Sequence, residues 1–431
     1  MTPTYLSNTA LATIFRFAAP LLILTLLQFA TGPTGLVLSA LAYFLLTMAV
    51  YRFELTNAWV GFSIPWMLIL LFSIMEISEF SRAIQLKTIV VVLSLLTMGA
   101  VVISPSKPAL PREEYPAKNH QVNFAIFFGV FWILTVLNVV LAGYIPLISS
   151  LTTGDSGYMD FGMKGIYGFF NAYSNALGVT AFYLWRKRGG MLYKATYFSV
   201  LLVFFFFMTR QNIISLLIES FVVYHYAIKK ISSIRVLGLG LLVLFAFGLI
   251  GDLRVGTSSI AELAKIKNEF IWLPSAFLWL FSYFYFNILN LDNAIYATPI
   301  PNFDFSSFAQ LLPSFLRPEG SYSSDLLEVS SFTVGSFVLP IIRDVGFLGL
   351  MVLFLLFCLL LSYYKRRMER RGGYGAIAGY SVVYFCFLFS FFENFWFYLP
   401  VIFQIVFIAI FDRLLFSDEA GTSSLNIPPT S

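Results

Sequence analysis

The sequence predicts an all-α membrane protein with about twelve transmembrane helices and a large polar insert between the ninth and the tenth. Hydrophobic residues make up 59% of the 431 residues and charged residues 11%, whereas a soluble domain carries about 25% charged residues. The mean hydropathy is +0.83. Apolar runs of about 17–25 residues recur along the chain, which is the length that crosses a bilayer as a helix.

The apolar runs divide the chain into four parts. Residues 1–251 form an N-terminal bundle of about nine spans, 252–344 form the insert, 345–416 form three C-terminal spans, and 417–431 are predicted to be a disordered cytoplasmic tail. The first run is followed by many others and is therefore a span rather than a removable signal peptide. We place the spans near 12–31, 34–50, 59–75, 87–104, 123–142, 166–185, 195–209, 211–228, 236–251, 345–363, 374–392 and 396–414.

Three basic clusters predict the orientation of the bundle. They are Arg186–Arg188, Lys229–Lys230 and Lys365–Arg371, all in short connections between spans. Positive charge in short connections marks the cytoplasmic side of a membrane. With both termini in the cytoplasm the three clusters fall on that side together, and the insert falls on the outer side.

One apolar segment of the insert could change the predicted number of spans. Residues 270–288 are long enough to cross the membrane, but a crossing would move the cluster Lys365–Arg371 to the outer side. We therefore predict that 270–288 is re-entrant or lies in the outer interface. Residues 261–268 before it have the pattern of a short amphipathic helix on that surface.

Four arginines face the outer side in this topology, against the positive-inside bias. They are Arg210, Arg254, Arg317 and Arg343. A guanidinium group is permanently charged and suited to bidentate contact with phosphate, so these residues are candidates for binding a diphosphate at headgroup level. The alternative is that Arg210 contacts the carbonyl end of the preceding span and that the others reach lipid phosphates.

Five outer carboxylates are candidates for a general base: Asp252, Glu319, Asp325, Glu328 and Asp344. A base has to reach the proton that it removes, and spacing alone does not show this. For Asp252 and Asp344 the favoured alternative is a salt bridge to the neighbouring Arg254 and Arg343. Glu319 is most simply part of a turn.

Glu219 lies midway along the eighth span, where an ionisable group is costly and indicates a functional residue by default. A buried hydrogen bond to the polar face of the sixth span is an equal contender. That face carries Asn171, Ser174 and Asn175.

The remaining composition excludes several kinds of site. The sequence holds no HExxH, CxxC or P-loop motif, so we expect no metal and no other cofactor. The net charge of +5 is explained by its distribution across the membrane, so we expect no nucleic-acid partner. Aromatic residues near 272–285, with Tyr283 among them, are candidates for stacking on sugars.

Five short motifs stand at the outer ends of the spans and in the insert. They are Gly143–Leu147, Thr209–Arg210, Arg254 with Gly256, Pro313–Ser314 with Arg317–Pro318, and Arg343–Gly349. Together they resemble motifs of the O-antigen and oligosaccharide repeat-unit polymerases (Wzy-type). The last of them looks like that family's Asp-aromatic-Gly-x-x-Gly, with Val345 where an aromatic residue is usual.

The resemblance implies a GT-C-like architecture and an enzyme of the bacterial inner membrane. Such an enzyme moves a growing glycan from one undecaprenyl diphosphate onto the next lipid-linked repeat unit at the periplasmic face, building an O-antigen, capsule or exopolysaccharide. It implies that outer-loop arginines bind the diphosphates, with Arg210 and Arg254 as the first candidates. Membrane lipid and a chain-length regulator protein are the further partners that it implies. The related ligases carry an outer histidine, which this chain lacks. A transporter or flippase of lipid-linked oligosaccharide is the alternative.

Overall fold

The structure is a computed structural model. It describes residues 56–103, 115–154, 157, 160–163, 165–232, 234–238, 240–241, 248, 260–297, 300–313, 316–317, 327–329, 332 and 335–417, with isolated residues at 35, 42, 44 and 45. The first predicted span lies outside the described residues, as do most of the second and most of the ninth.

The fold is all-α. Its helices are α1 Ala58–Ser73, α2 Leu86–Val102, α3 His120–Ala142, α4 Pro146–Thr153, α5 Ile166–Arg188, α6 Met191–Phe206, α7 Arg210–Val223, α8 Ile260–Leu263, α9 Ser275–Ala297, α10 Val338–Arg371, α11 Tyr374–Leu388 and α12 Leu399–Leu415. A π-helical turn, Tyr224–Ile228, continues α7, and 3-10 helices cover Asn268–Phe270, Ser306–Leu311 and Phe395–Phe397. Two-residue strands, β1 Tyr115–Pro116 and β2 Phe416–Ser417, pair antiparallel.

The helix ends follow local chemistry. Gly143, Gly154 and Gly372 follow α3, α4 and α10 with φ of 77°, 78° and 61°, a left-handed conformation that glycine adopts without steric cost. Pro146 stands in the first turn of α4, where its missing N–H has no intrahelical partner to lose. The side chain of Asn57 caps α1 by accepting the N–H of Trp59 at 2.9 Å.

Within the described residues, two helical segments are long and apolar enough to cross a membrane: His120–Thr153, in which α3 and α4 are counted together, and Val338–Arg371. Four further apolar helices, α1, α2, α6 and α11, are shorter. The predicted number of twelve spans is therefore not confirmed. Only 22% of the most apolar stretch of α3 and α4 is buried. The exposed residues of α3 include Ile133 and Val140. So large an apolar surface indicates association with a membrane.

The three basic clusters lie at one end of the bundle, which we call the basic end. Helix α5 ends in the first cluster. The ring of Tyr374, three residues after the third cluster, lies 5.0 Å from the ring of Tyr183 near the end of α5. The guanidinium group of Arg186 lies 5.1 Å from the ring centre of Tyr224, whose π-helical turn leads into the second cluster.

Helix α9 lies across the opposite end, which we call the α9 end. Helix α1 begins at the basic end, because Thr56 just before it lies 3.2 Å from the ring nitrogen Nε2 of His225 in the π-helical turn. Trp59, near the start of α1, donates its indole N–H to the Leu96 carbonyl near the end of α2, so the end of α1 is level with the start of α2. Three phenylalanine rings from the first half of α9 contact Phe72 at the end of α1, at 5.7–6.0 Å. Near the other end of α9, Asp292 accepts the hydroxyl of Thr88 in the first turn of α2 at 2.5 Å. Both halves of α9 therefore meet the same end of the α1–α2 hairpin.

This placement refines the prediction for 270–288. The helix is continuous from Ser275, directly after Pro274, to Ala297, and it lies across the hairpin instead of beside it. The predicted helix over 261–268 is wrong in extent, because α8 ends at Leu263. The chain turns at Lys265 (φ 44°), and its backbone then pairs with the α1–α2 connection through Ser78 and Ile266.

Candidate functional site

Arg210 is the first helical residue of α7 and lies at the α9 end. The chain reaches it through a tight turn after α6, in which Met208 has a φ of 56°. The positive end of a helix dipole makes a cation unfavourable at this position. The carbonyl of Phe204 near the end of α6 already accepts the N–H and the hydroxyl of Thr209, at 3.0 and 3.2 Å.

The face of α7 that carries Arg210 packs on the turn between α11 and α12. Ile214, one helical turn after Arg210, packs against a small cluster of Phe385, Cys386 and Phe395. Residues four apart lie on the same face of a helix. Arg210 therefore begins the face of α7 whose next turn packs on this cluster.

Arg317 follows the 3-10 helix Ser306–Leu311, which packs on the α11–α12 turn through Phe308 and Phe397, whose ring centres lie 4.3 Å apart. Its Nε donates to the Leu312 carbonyl at 3.0 Å, and its Nη2 donates to the Gln310 carbonyl at 3.1 Å. These bonds order its own loop and hold the guanidinium group within electrostatic range of the Tyr398 hydroxyl. Tyr398 immediately precedes α12 and is also within range of Glu393.

Glu393 is a candidate that the sequence interpretation missed. It is half-buried in the turn between α11 and α12, and burial raises the pKa of its carboxyl group. We took this turn as a minimal connection and assigned it no function. Glu393 and Asn394 between two aromatic runs were the available signal. We refer to Arg210, Arg317, Glu393 and Tyr398 as the arginine cluster.

Asp344 has a structural environment. Its side chain is fully buried, and its carboxylate accepts the hydroxyl of Ser306 at 3.0 Å and the backbone N–H of Ser307 at 2.6 Å. The favoured alternative from the sequence is a salt bridge to Arg343, whereas the hydrogen bonds described here come from these two serines. A buried carboxylate held in this way cannot approach a substrate hydroxyl, so the geometry speaks against Asp344 as the base.

Arg343 belongs to the same junction between the 300–313 loop and α10. Its carbonyl accepts the N–H of Asn302 at 2.9 Å. A hydrogen bond with Asp344 and one from the backbone N–H of Ser306 hold the pKa of Asp304 below its usual range, and Arg343 adds to this effect. Arg343 thus lies close enough to Asp304 to favour its charged form.

Glu219 is fully buried and hydrogen-bonded at both oxygens. Oε1 accepts the hydroxyl of Ser215 at 2.7 Å, and Oε2 accepts the side-chain amide of Gln404 at 2.5 Å. The prediction of a partner on the sixth span therefore misplaced these bonds, since one partner lies on α7 itself and the other on α12. Asn175 of the predicted face pairs with Asn212 at 3.4 Å.

Tyr283 lies in α9, where its ring stacks on Trp279 at 5.8 Å and 26° and meets Phe332 edge-on at 5.7 Å. Asp252, Arg254, Glu319 and Asp325 lie outside the described residues. A search of the part of the chain that the structure describes finds no group of three or more His, Cys, Asp or Glu side chains that could hold a metal ion.

No protein-family model matches the sequence, and neither a curated protein nor a solved structure matches it.

Proposed function

We propose that the protein is a membrane glycosyltransferase that polymerises undecaprenyl diphosphate-linked oligosaccharide repeat units into a surface polysaccharide. The observation that carries the proposal is that α7 begins with Arg210 on a face that packs towards the α11–α12 turn, and that Arg317 lies near the same turn, at the end of the bundle opposite the basic clusters. The motif resemblance in the same parts of the chain supports it independently.

The charge distribution supports the sidedness of the proposed reaction. Basic residues in short connections mark the cytoplasmic side of a membrane, so the α9 end faces the periplasm of a bacterial inner membrane in this proposal. A lipid-linked sugar presents its diphosphate at headgroup level on that side. The arginine cluster lies at the ends of α7 and α12, which is the corresponding level of the bundle.

The chemistry of the cluster fits a diphosphate leaving group. Guanidinium groups bind phosphate oxygens in a planar, bidentate geometry, and preorganised cations stabilise the charge that develops as the glycosidic bond breaks. In the proposed step an acceptor sugar hydroxyl attacks the anomeric carbon and its proton passes to Glu393. The bond between that carbon and the diphosphate oxygen breaks, and the electron pair leaves with undecaprenyl diphosphate. Arg254 is proposed as a further diphosphate ligand.

A transporter or flippase is the less favoured function. Such a protein needs charged groups along a path through the middle of the membrane. The deep carboxylate Glu219 accepts a hydrogen bond at each oxygen and is closed off from solvent. The cationic side chains described above lie at the two ends of the bundle instead.

The test is complementation of cells that lack the gene, with polymer length read on a gel and protein abundance in membranes. A charge-assisted contact is worth roughly 1.5–3 kcal/mol, so Arg210→Ala and Arg317→Ala should each lower polymerisation about ten- to a hundredfold. Arginine-to-lysine variants should lose less, because they keep the charge without the planar fork. Glu393→Gln should also lose polymer.

Lys267→Ala is the matched control, because Lys267 is a cation near the α9 end whose ammonium group pairs with Glu76 at 3.7 Å. It should leave polymer length unchanged. Surface glycolipid with single, unpolymerised units in the arginine variants supports a polymerase. Loss of those single units supports a flippase. Full-length polymer from both alanine variants at normal abundance contradicts the proposal.

A further inference from the structure

The loop before the 3-10 helix Ser306–Leu311 exposes apolar side chains in an unusual backbone conformation. Phe303 is 60% exposed and Phe305 54% exposed, and Ile300 beside them is 76% exposed. Phe303 and Phe305 have φ of 53° and 55°. A bulky side chain is rarely found at positive φ, because its Cβ crowds the carbonyl oxygen.

The loop is held in this conformation from α10. Phe303 donates its N–H to the carbonyl of Asp344 at 2.9 Å. The carboxylate of Asp344 accepts two hydrogen bonds from Ser306 and Ser307, just after Phe305. Asp344 therefore fixes both ends of the short segment that displays the two phenylalanines. This accounts for the buried carboxylate without a catalytic role.

Strained backbone persists only where its surroundings enforce it, and it is concentrated at functional sites. The strained conformation gives Phe303 and Phe305 little packing within the protein, because more than half of each side chain is exposed. The conformation instead presents the two rings outward. An external apolar surface is the ligand that such a presentation fits.

We propose that Phe303 and Phe305 form a wedge that enters the bilayer at the boundary between headgroups and acyl chains. The loop continues an apolar surface on α10, one of the two segments long and apolar enough to cross a membrane. At Gly346 (φ 68°), where α10 is kinked, an added Cβ would lie 3.2 Å from Pro301 of the loop. Leu348, two residues further, is 77% exposed.

The position of the wedge favours lipid over a protein partner. Aromatic side chains are favoured at membrane–water interfaces, where the ring is buried next to polar headgroups. Arg343 beside the loop supplies a cation for a headgroup phosphate. The inference does not rest on the proposed glycosyl transfer, because any protein with this bundle in a bilayer would place the loop at the same depth.

The experiment uses single cysteines labelled with an environment-sensitive fluorophore in the full chain, reconstituted into phosphatidylethanolamine–phosphatidylglycerol vesicles. Both native cysteines, Cys358 and Cys386, are buried. Phe303→Cys and Phe305→Cys are the test sites. Leu348→Cys is the lipid reference, and Glu76→Cys, whose side chain is 82% exposed, is the aqueous reference. Quenching is read with lipids that carry a nitroxide at a shallow or a deep position.

The expected result is blue-shifted emission at both phenylalanine positions, with stronger quenching by the shallow nitroxide than by the deep one. Emission like that of the Glu76 site, without quenching, overturns the proposal. Blue-shifted emission that lipid does not quench, and that grows with protein density in the vesicles, also overturns it and indicates a second copy of the chain. If the labelled variants fail to fold, benzoylphenylalanine at 303 keeps an aromatic ring. Its photoadduct should be phospholipid, and a protein adduct overturns the proposal.

Discussion

Replacing Glu219 separates a structural carboxylate from a chemical one. In Glu219→Gln the side chain keeps its shape and presents one acceptor and one donor. The new carbonyl oxygen can accept the amide of Gln404, while the new amide donates to the hydroxyl of Ser215, which can turn to accept it. Both hydrogen bonds of the wild type, at 2.7 and 2.5 Å, therefore have a replacement.

Glu219→Gln and Glu219→Ala should therefore differ in their effect on the free energy of unfolding. Glutamine keeps a hydrogen bond at each end of the group, so the free energy of unfolding should change by about 1 kcal/mol or less. Glu219→Ala leaves the amide of Gln404 and the hydroxyl of Ser215 buried without their partner and opens a cavity. Its cost should be about 3–5 kcal/mol.

The assay is thermal unfolding of the purified protein in detergent, with polymer length in cells as the second readout. Ser215→Ala removes one neutral donor and is the matched control, at about 1 kcal/mol. Wild-type stability in Glu219→Ala would refute the hydrogen-bond reasoning. A Glu219→Gln variant that is inactive at normal abundance would instead give the carboxylate a chemical role.

Two further predictions concern topology and the placement of α9. An impermeant thiol reagent should label Asn302→Cys in cells with a permeable outer membrane, and should label Arg371→Cys only after the inner membrane is disrupted; the reverse pattern would overturn the orientation. Asp292→Ala should lower the free energy of unfolding by about 3–5 kcal/mol, because the buried carboxylate binds Arg82 at 3.0 Å and caps α2. Glu328 is the more exposed carboxylate that pairs with Arg82, at 3.6 Å, and Glu328→Gln should cost at most about 1 kcal/mol. Equal melting of both variants would contradict the assigned position of α9.

Helix positions were predictable because they depend on local sequence. The predicted spans 59–75, 87–104 and 123–142 match α1, α2 and α3 within three residues at each end. The apolar runs set their lengths, and glycines such as Gly143 set their ends. The positive-inside rule opposes a crossing by 270–288, and its re-entrant or interfacial position stays a prediction.

Pairings between distant residues were not predictable in the same way. Gln404 lies 185 positions from Glu219, and many polar residues on other spans were equally plausible partners by sequence. Asp344 looked like a site residue because it is polar and follows Arg343, yet its partners come from a loop 37 and 38 positions earlier. Glu393 was overlooked because short connections carry no signal of what packs around them.

The most direct test of the central claim is the binding of undecaprenyl diphosphate to the purified protein in nanodiscs, with undecaprenyl phosphate as the control ligand. Wild type should bind the diphosphate more tightly than the monophosphate. Arg210→Ala and Arg317→Ala should each weaken diphosphate binding by about ten- to a hundredfold, while the Lys267→Ala control should not. Equal affinity of the wild type and both arginine variants for the diphosphate would contradict the account.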